Sequence, residues 1–193
     1  LDAGFNNVNQ LAGLQHLFDN NKIIYTSDLV EKYGDIYSPT GNSHGTSVLS
    51  CMASYLPNEF VGTAPEASYI LIRTEDAFSE YLIEEFNWVK GAEIADSIGS
   101  EIINSSLSYS TFDDSSMDHV FSDMDGSTCP SSIGCKMATE RGIYVSVSAG
   151  NSNGSHWSQI GTPADVEEAA TIGAVDINNE IASFSSLGNN SNN

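Results

Sequence analysis

Basic side chains are scarce in this sequence: six Lys and Arg stand against 26 Asp and Glu, for a formal net charge of −20 over 193 residues. A surface of that sign repels phosphate backbones and anionic lipid headgroups, which excludes nucleic acid as a partner. Long apolar runs are missing as well. No stretch approaches the roughly 18 residues of a spanning helix, so membrane insertion is not expected. No glycine-rich phosphate loop follows a strand-like run, which argues against a nucleotide-binding domain. Cysteine is limited to three residues without His at zinc-ligand spacing, and no zinc site is expected. Cys129 and Cys135 flank the short stretch Pro-Ser-Ser-Ile-Gly and can close a disulfide, which suits an exported protein. Cys51 lies in an apolar helical stretch and reads as a small core residue. Asp113, Asp114, Asp118, Asp123 and Asp125 cluster enough acid to raise a calcium question, but their spacing fits no EF-hand loop. Neither a metal nor a cofactor is expected.

What is present is the composition of a globular protein, 40% hydrophobic and 17% charged, long enough for one domain spanning 1–193. Short apolar runs alternate with helix-like segments, which predicts an α/β fold with a mainly parallel central sheet and helices on both faces. The strand candidates are Tyr69 to Arg73, Glu101 to Leu107, Gly142 to Ser148 and Ala170 to Val175. Between the first two, Leu82, Ile83, Phe86 and Val89 recur at helical steps, predicting a surface helix from Ser79, its cap, to Ile98. A second helix is expected from His44 to about Leu56, with Val48, Leu49, Met52, Ala53 and Leu56 as its apolar face and Pro57 after it. A third is expected over Lys136 to Arg141 and its flanks. Tyr109 to Cys135, rich in Ser, Asp and Gly, reads as an insertion or long surface loop. The only low-complexity tract is Asn189 to Asn193.

Three short motifs carry chemistry. Leu1-Asp2-Ala3-Gly4 reads as a strand end running into a turn, so the chain is expected to begin inside a domain, and a missing leader says nothing. Taken alone, Asp2 is ordinary turn chemistry, but carboxyl ends of parallel strands are where reacting groups gather. His44-Gly45-Thr46 opens the second helix and sets an imidazole at its N-terminus, whereas His16, His119 and His156 read as surface or satisfied core groups. Ser148-Ala149-Gly150-Asn151 ends a strand and presents a neutral amide donor, which suits an oxyanion, although Asn there is more commonly a cap.

Together these motifs resemble the subtilisin-like serine proteases, whose triad runs Asp, His, Ser in chain order. Further stretches resemble the same family: Val61-Gly62-Thr63-Ala64-Pro65, Ile103-Asn104-Ser105-Ser106-Leu107-Ser108, Gly161-Thr162-Pro163-Ala164, Ile172-Gly173-Ala174-Val175-Asp176 and Ala182-Ser183-Phe184-Ser185-Ser186-Leu187-Gly188. The resemblance implies a serine endopeptidase acting on polypeptides, with Asp2 orienting His44, His44 as base and Asn151 as oxyanion donor. It also implies substrate binding by Ser106, Leu107, Ser108, Ala149, Gly150 and Gly161, the last as the open floor of a pocket for a large apolar side chain. A secreted or cell-envelope location is implied too. Ala3 departs from the Thr or Ser common after the triad Asp. The family's nucleophile lies about 66 residues beyond the amide, near position 217, outside these residues, so this chain alone is expected to be inactive. Ser47, in a Gly-Thr-Ser that mimics the nucleophile motif, is set aside because it shares a helix with His44. A protease-like peptide-binding module without catalysis is the alternative reading.

Overall fold

The computed structural model describes residues 1–38 and 40–188; the Asn189 to Asn193 tract lies outside them. Contacts fall into two compact units, Leu1–Phe78 and the part from Ser79 onward.

The first unit contains α1 (Gln15–Asp19), β1 (Ile23–Asp28), α2 (His44–Ala53), the hairpin β2 (Tyr55–Leu56) and β3 (Phe60–Val61), and β4 (Tyr69–Arg73). β1 and β4 pair in parallel from Ile23 with Tyr69 to Asp28 with Arg73, and Asp2 bridges Arg73 in the same sense. Parallel partners need a long crossover, and α2 lies within it. Its buried side is Gly45, Thr46, Leu49 and Ala53, and the core gathers Phe5, Val8, Leu14, Leu17, Ile36, Leu49, Ala53 and Leu71. The helix ends at Ala53, short of the expected Leu56. The N–H groups of Gly62, Thr63 and Ala64 turn back onto the carbonyls of Ser54, Cys51 and Met52 and close it off.

The second unit contains α3 (Ile83–Ile98), β5 (Ile102–Ser105), α4 (Pro130–Glu140), β6 (Tyr144–Ser148) and β7 (Ala170–Ile172). The strands form a parallel sheet in the order β5-β6-β7. Ile103, Ser105, Val145 and Val147 alternate onto one buried face, as the period-2 geometry of a strand requires. Trp88, fully buried on α3, donates its indole N–H to Ser105 Oγ at 2.8 Å and so ties helix to sheet.

The structure corrects several expectations. The face of α3 is not the apolar stripe: Ile83 and Phe86 are 60% and 53% exposed, while Glu84, Glu85, Trp88, Gly91, Ala92 and Ala95 are buried. The helix begins at Ile83 rather than at a Ser79 cap. Tyr109 to Cys135 is no mere surface loop, since Tyr109, Phe112, Met124, Ser131 and Ser132 are buried in it and α4 starts at Pro130, the position where Pro suits a helix. That helix also rules out the disulfide. Cys129 is its N-cap and Cys135 lies six residues on, about 9 Å along the axis, beyond disulfide reach. Both thiols are free and buried, and burial pushes both up, Cys135 to about 12, so they stay protonated. Cys51 is exposed on α2, not in the core. Strand β1 and the β2–β3 hairpin had no sequence counterpart.

Ser105→Ala leaves the buried Trp88 N–H without its acceptor and is expected to lower unfolding free energy by about 1–3 kcal/mol in urea titrations. An unchanged midpoint would count against this helix-to-sheet tie.

Candidate active site

Two chain segments bring Asp2 and His44 together in the first unit. Asp2 is held by its backbone: its N–H donates to Ile72 O at 3.2 Å and its carbonyl accepts from Thr74 N–H at 3.0 Å, which seats it beside β4. His44 is the first residue of α2, and its N–H donates to Asn42 Oδ1 at 2.7 Å. The imidazole Nδ1 then donates to Asp2 Oδ1 at 2.7 Å. The Asp2 side chain is 3% exposed and that of His44 is 49% exposed, so one end of the pair is buried and the other open. Nε2 is the ring nitrogen that Asp2 leaves free for a reacting group.

The approach depends on Gly45. A Cβ there would stand 2.6 Å from Gly4 O, 2.8 Å from Phe5 Cε1 and 2.9 Å from Asp2 Cβ, so any side chain would push the helix start away from the Asp2 segment. Thr46 Oγ1 adds a bond to Asn6 O at 2.8 Å from the next position. Ser47 is exposed and bonds back to Ser43 O at 3.2 Å within its own helix, the ordinary behaviour of a helical Ser. Ala3 contributes an N–H to Asp2 Oδ1 at 2.7 Å but has no hydroxyl to offer. Asp2 Oδ2 is buried without a hydrogen bond among the described residues.

The other sequence-selected residues belong to the second unit. Asn151 is exposed in the bend after β6. It follows Gly150, whose φ of +98° is a conformation only glycine adopts readily. Ala149 is buried and donates its N–H to Ile172 O at 2.9 Å. Ser106, Leu107 and Ser108 continue from β5, and a Cβ on Gly150 would lie 3.1 Å from Ser108 Oγ, so those two segments are neighbours. Gly161, the expected pocket floor, stands against the same segment. Ser108 Oγ and the Tyr109 carbonyl occupy the space its side chain would need, and its lack of one serves the adjoining Tyr109–Thr162 pairing. Trp157 donates its indole N–H to Ile160 O at 2.9 Å. The clustered aspartates are engaged locally. Asp113 accepts from Glu80 N–H, Asp114 from Ser116, Asp118 from Phe112 N–H, Asp123 from Val120 N–H and Asp125 from Ser127 and Thr128.

The subtilase family model matches residues 1–193. The chain belongs to the subtilase family. Subtilisin NAT of Bacillus subtilis subsp. natto is 34% identical over 152 residues, covering 77% of this chain and 35% of that protein. Subtilisin DY of Bacillus licheniformis is 34% identical over 163 residues, covering 80% and 51%. The chain thus spans about a third to a half of the length of these curated relatives. Among solved structures, the self-cleaved protease domain of PatA matches with a TM-score of 0.67 at 20% identity, over 97% of this chain and 60% of that one. The nisin leader peptidase NisP from Lactococcus lactis matches at 0.67 and 18%, over 97% and 58%. At that identity the structural likeness speaks for the fold, and the α/β class is that of subtilisin-like proteins.

In this subtilase the hydrogen bond to Asp2 raises the affinity of His44 for a proton; burial works against it and the Asp2 charge adds to it. A raised imidazole stabilises the fold fully below about pH 6.5, and that contribution is lost as pH rises through the folded-state value. We therefore expect Asp2→Asn to lower the His44 titration midpoint, followed through its ring proton shifts by NMR. A midpoint unmoved by the substitution would mean the pair does not tune the imidazole. Gly45→Ala is expected to produce the same downward shift by separating the two side chains, despite the better helix propensity of Ala.

Proposed function

We propose that the complete protein is a serine endopeptidase that hydrolyses polypeptides through an acyl-enzyme. The observation that carries this reading is the 2.7 Å bond from His44 Nδ1 to a buried Asp2 carboxylate, with the rest of the ring half open. That is the arrangement of a base whose tautomer and orientation are fixed from behind. The family match over the whole chain supports it.

In this reading Asp2 holds the imidazole and stabilises the imidazolium. His44 Nε2 takes the proton from a serine hydroxyl as its oxygen attacks the scissile carbonyl, then returns it to the leaving amine. Asn151 donates to the tetrahedral oxyanion, and the nucleophile lies outside these 193 residues. The substrate backbone pairs with Ser106 to Ser108 as an added strand, with Ala149, Gly150 and Gly161 along the same cleft. An exported location fits the subtilisin relatives, but with Cys129 and Cys135 free it no longer has a disulfide behind it. No helix among the described residues is long and apolar enough to cross a membrane.

Steady-state peptide hydrolysis by the complete enzyme tests the assignment. His44→Ala and Asp2→Asn are expected to cut kcat by about 10⁴ or more with KM nearly unchanged, and Asn151→Ala by about 10² to 10³. Because the base must be neutral, kcat/KM rises with pH through the elevated His44 value. The 193-residue chain alone is expected to hydrolyse nothing. Wild-type turnover in His44→Ala, or substantial activity of the chain by itself, would overturn the reading.

A further inference from the structure

A second ionisable cluster is buried inside the second unit, and none of its members is assigned a role above. Glu85 of α3 is fully buried, and its two carboxylate oxygens face different segments. Oε1 accepts from His119 Nε2 at 2.5 Å. Oε2 accepts from the N–H and hydroxyl of Ser131 at 3.0 and 2.7 Å. Beyond Ser131 the contacts continue through hydroxyls: Ser131 Oγ to Thr162 Oγ1 at 2.6 Å, Thr162 Oγ1 to Ser132 Oγ at 2.5 Å, and Ser132 Oγ to Asp165 Oδ1 at 2.6 Å. Gly126 N–H donates to Asp165 Oδ2 at 2.8 Å.

Protons can be counted along this line. Four oxygen-to-oxygen links join Glu85 to Asp165, and each needs one proton. The three hydroxyls supply three. With both carboxylates ionised, one link would set two lone pairs against each other in a buried position, where an unmet polar contact is most costly. One carboxyl must therefore carry the fourth. Glu85 faces the His119 imidazole and two Ser131 donors, while Asp165 meets the Ser132 hydroxyl, the Gly126 N–H and its own N–H; an imidazole that can carry positive charge favours the ionised form at Glu85. Either direction fills all four links, and the one that leaves a protonated His119 against a carboxylate runs from protonated Asp165 through Ser132, Thr162 and Ser131 to an ionised Glu85.

Both arms end on the same strand pairing. Thr162 exchanges both backbone bonds with Tyr109, at 2.9 and 3.0 Å, and His119 N–H holds Ser110 O at 2.9 Å, next to Tyr109. We propose that this chain, with Asp165 neutral and the His119–Glu85 pair charged, is a proton-dependent latch in which the three residues position the Tyr109–Thr162 pairing and, through it, the Ser106–Ser108 segment. The effect on peptide binding rests on the reading of Ser106 to Ser108 given above; the latch does not.

The charged and titratable groups around it are Glu85 from α3, Asp123 and Asp125 from the segment before α4, Asp165, and the Cys129 and Cys135 thiols. Burial is the largest influence on His119 and lowers it, but the Glu85 hydrogen bond, the Glu85 charge and the Asp123 charge work the other way and leave it raised. Burial raises Asp165 against the bonds from Ser132 and Gly126. Both signs agree: each group stabilises the folded form below its ordinary range, and the latch weakens as pH climbs through the raised values.

Amide hydrogen exchange of the full chain by NMR, corrected for intrinsic rates, provides the test. Between pH 6 and 9, protection at Tyr109 and Thr162 is expected to fall about tenfold or more, while Val145 and Val147 hold theirs. Asp165→Asn, a neutral carboxamide that can donate to Ser132, is expected to keep the low-pH protection. His119→Gln is expected to lose protection at pH 6. A flat wild-type profile overturns the latch, and so does an Asp165→Asn chain that loses protection at low pH, as an ionised Asp165 would require. In the complete enzyme the same substitutions should move KM and leave kcat. If exchange behaves as expected but KM does not move, the latch stands and the peptide-binding reading of Ser106 to Ser108 is what fails.

Discussion

The Asp2–His44 pair depends on one close approach, that of the α2 start to the Asp2 segment across Gly45. Asp2 is fixed by a parallel bridge to β4 and His44 by the first turn of a helix, so neither can travel far to find the other. The 2.7 Å bond exists because no Cβ separates the two backbones. The core beneath, from Phe5 and Leu49 to Leu71, holds helix and strand in that relation. A carboxylate buried to this degree needs partners. The imidazole and the Ala3 N–H supply them on one oxygen.

This short-range logic made the Asp2–His44 pairing legible. His44-Gly45-Thr46 and Asp2-Ala3-Gly4 are local motifs whose geometry follows from a helix start and a strand end, and β4 was read to the residue. Longer-range features were less so. On α3, Ile83 and Phe86 sit at helical spacing and look like a core stripe, yet the helix turns Glu84 and Glu85 inward because His119 and Ser131, 34 and 46 residues away, provide counter-groups for Glu85. Periodicity cannot see such partners. α4 was half missed because Ser131, Ser132 and Gly134 read as loop composition, although Pro130 after Cys129 was a usable start signal. β1 escaped because its burial does not alternate cleanly, its register being irregular between Ile23 and Tyr25.

With so few bases in the chain, its acids are accommodated by other means. Arg73 takes Asp28 at 3.1 Å, and histidines take Asp2 and Glu85. Elsewhere the counter-group is a turn. The Ser116 side chain and N–H hold Asp114 below the usual carboxylate range, N–H groups and hydroxyls of Ser127 and Thr128 do so for Asp125, and the N–H groups of Glu180 and Asn178 for Asp176. Acidity at the surface is thus compatible with tight local structure. Inside, a line of hydroxyls from Ser131, Thr162 and Ser132 joins the His119-paired Glu85 to Asp165.

The central claim is that His44, backed by Asp2, serves a serine beyond residue 193. Labelling the complete protein with a serine-directed fluorophosphonate and mapping the modified peptide tests it most directly. The account predicts one labelled serine, C-terminal to these residues, whose labelling is lost in His44→Ala. A label on Ser47 or any other serine within the 193 residues, or labelling indifferent to His44, would contradict it.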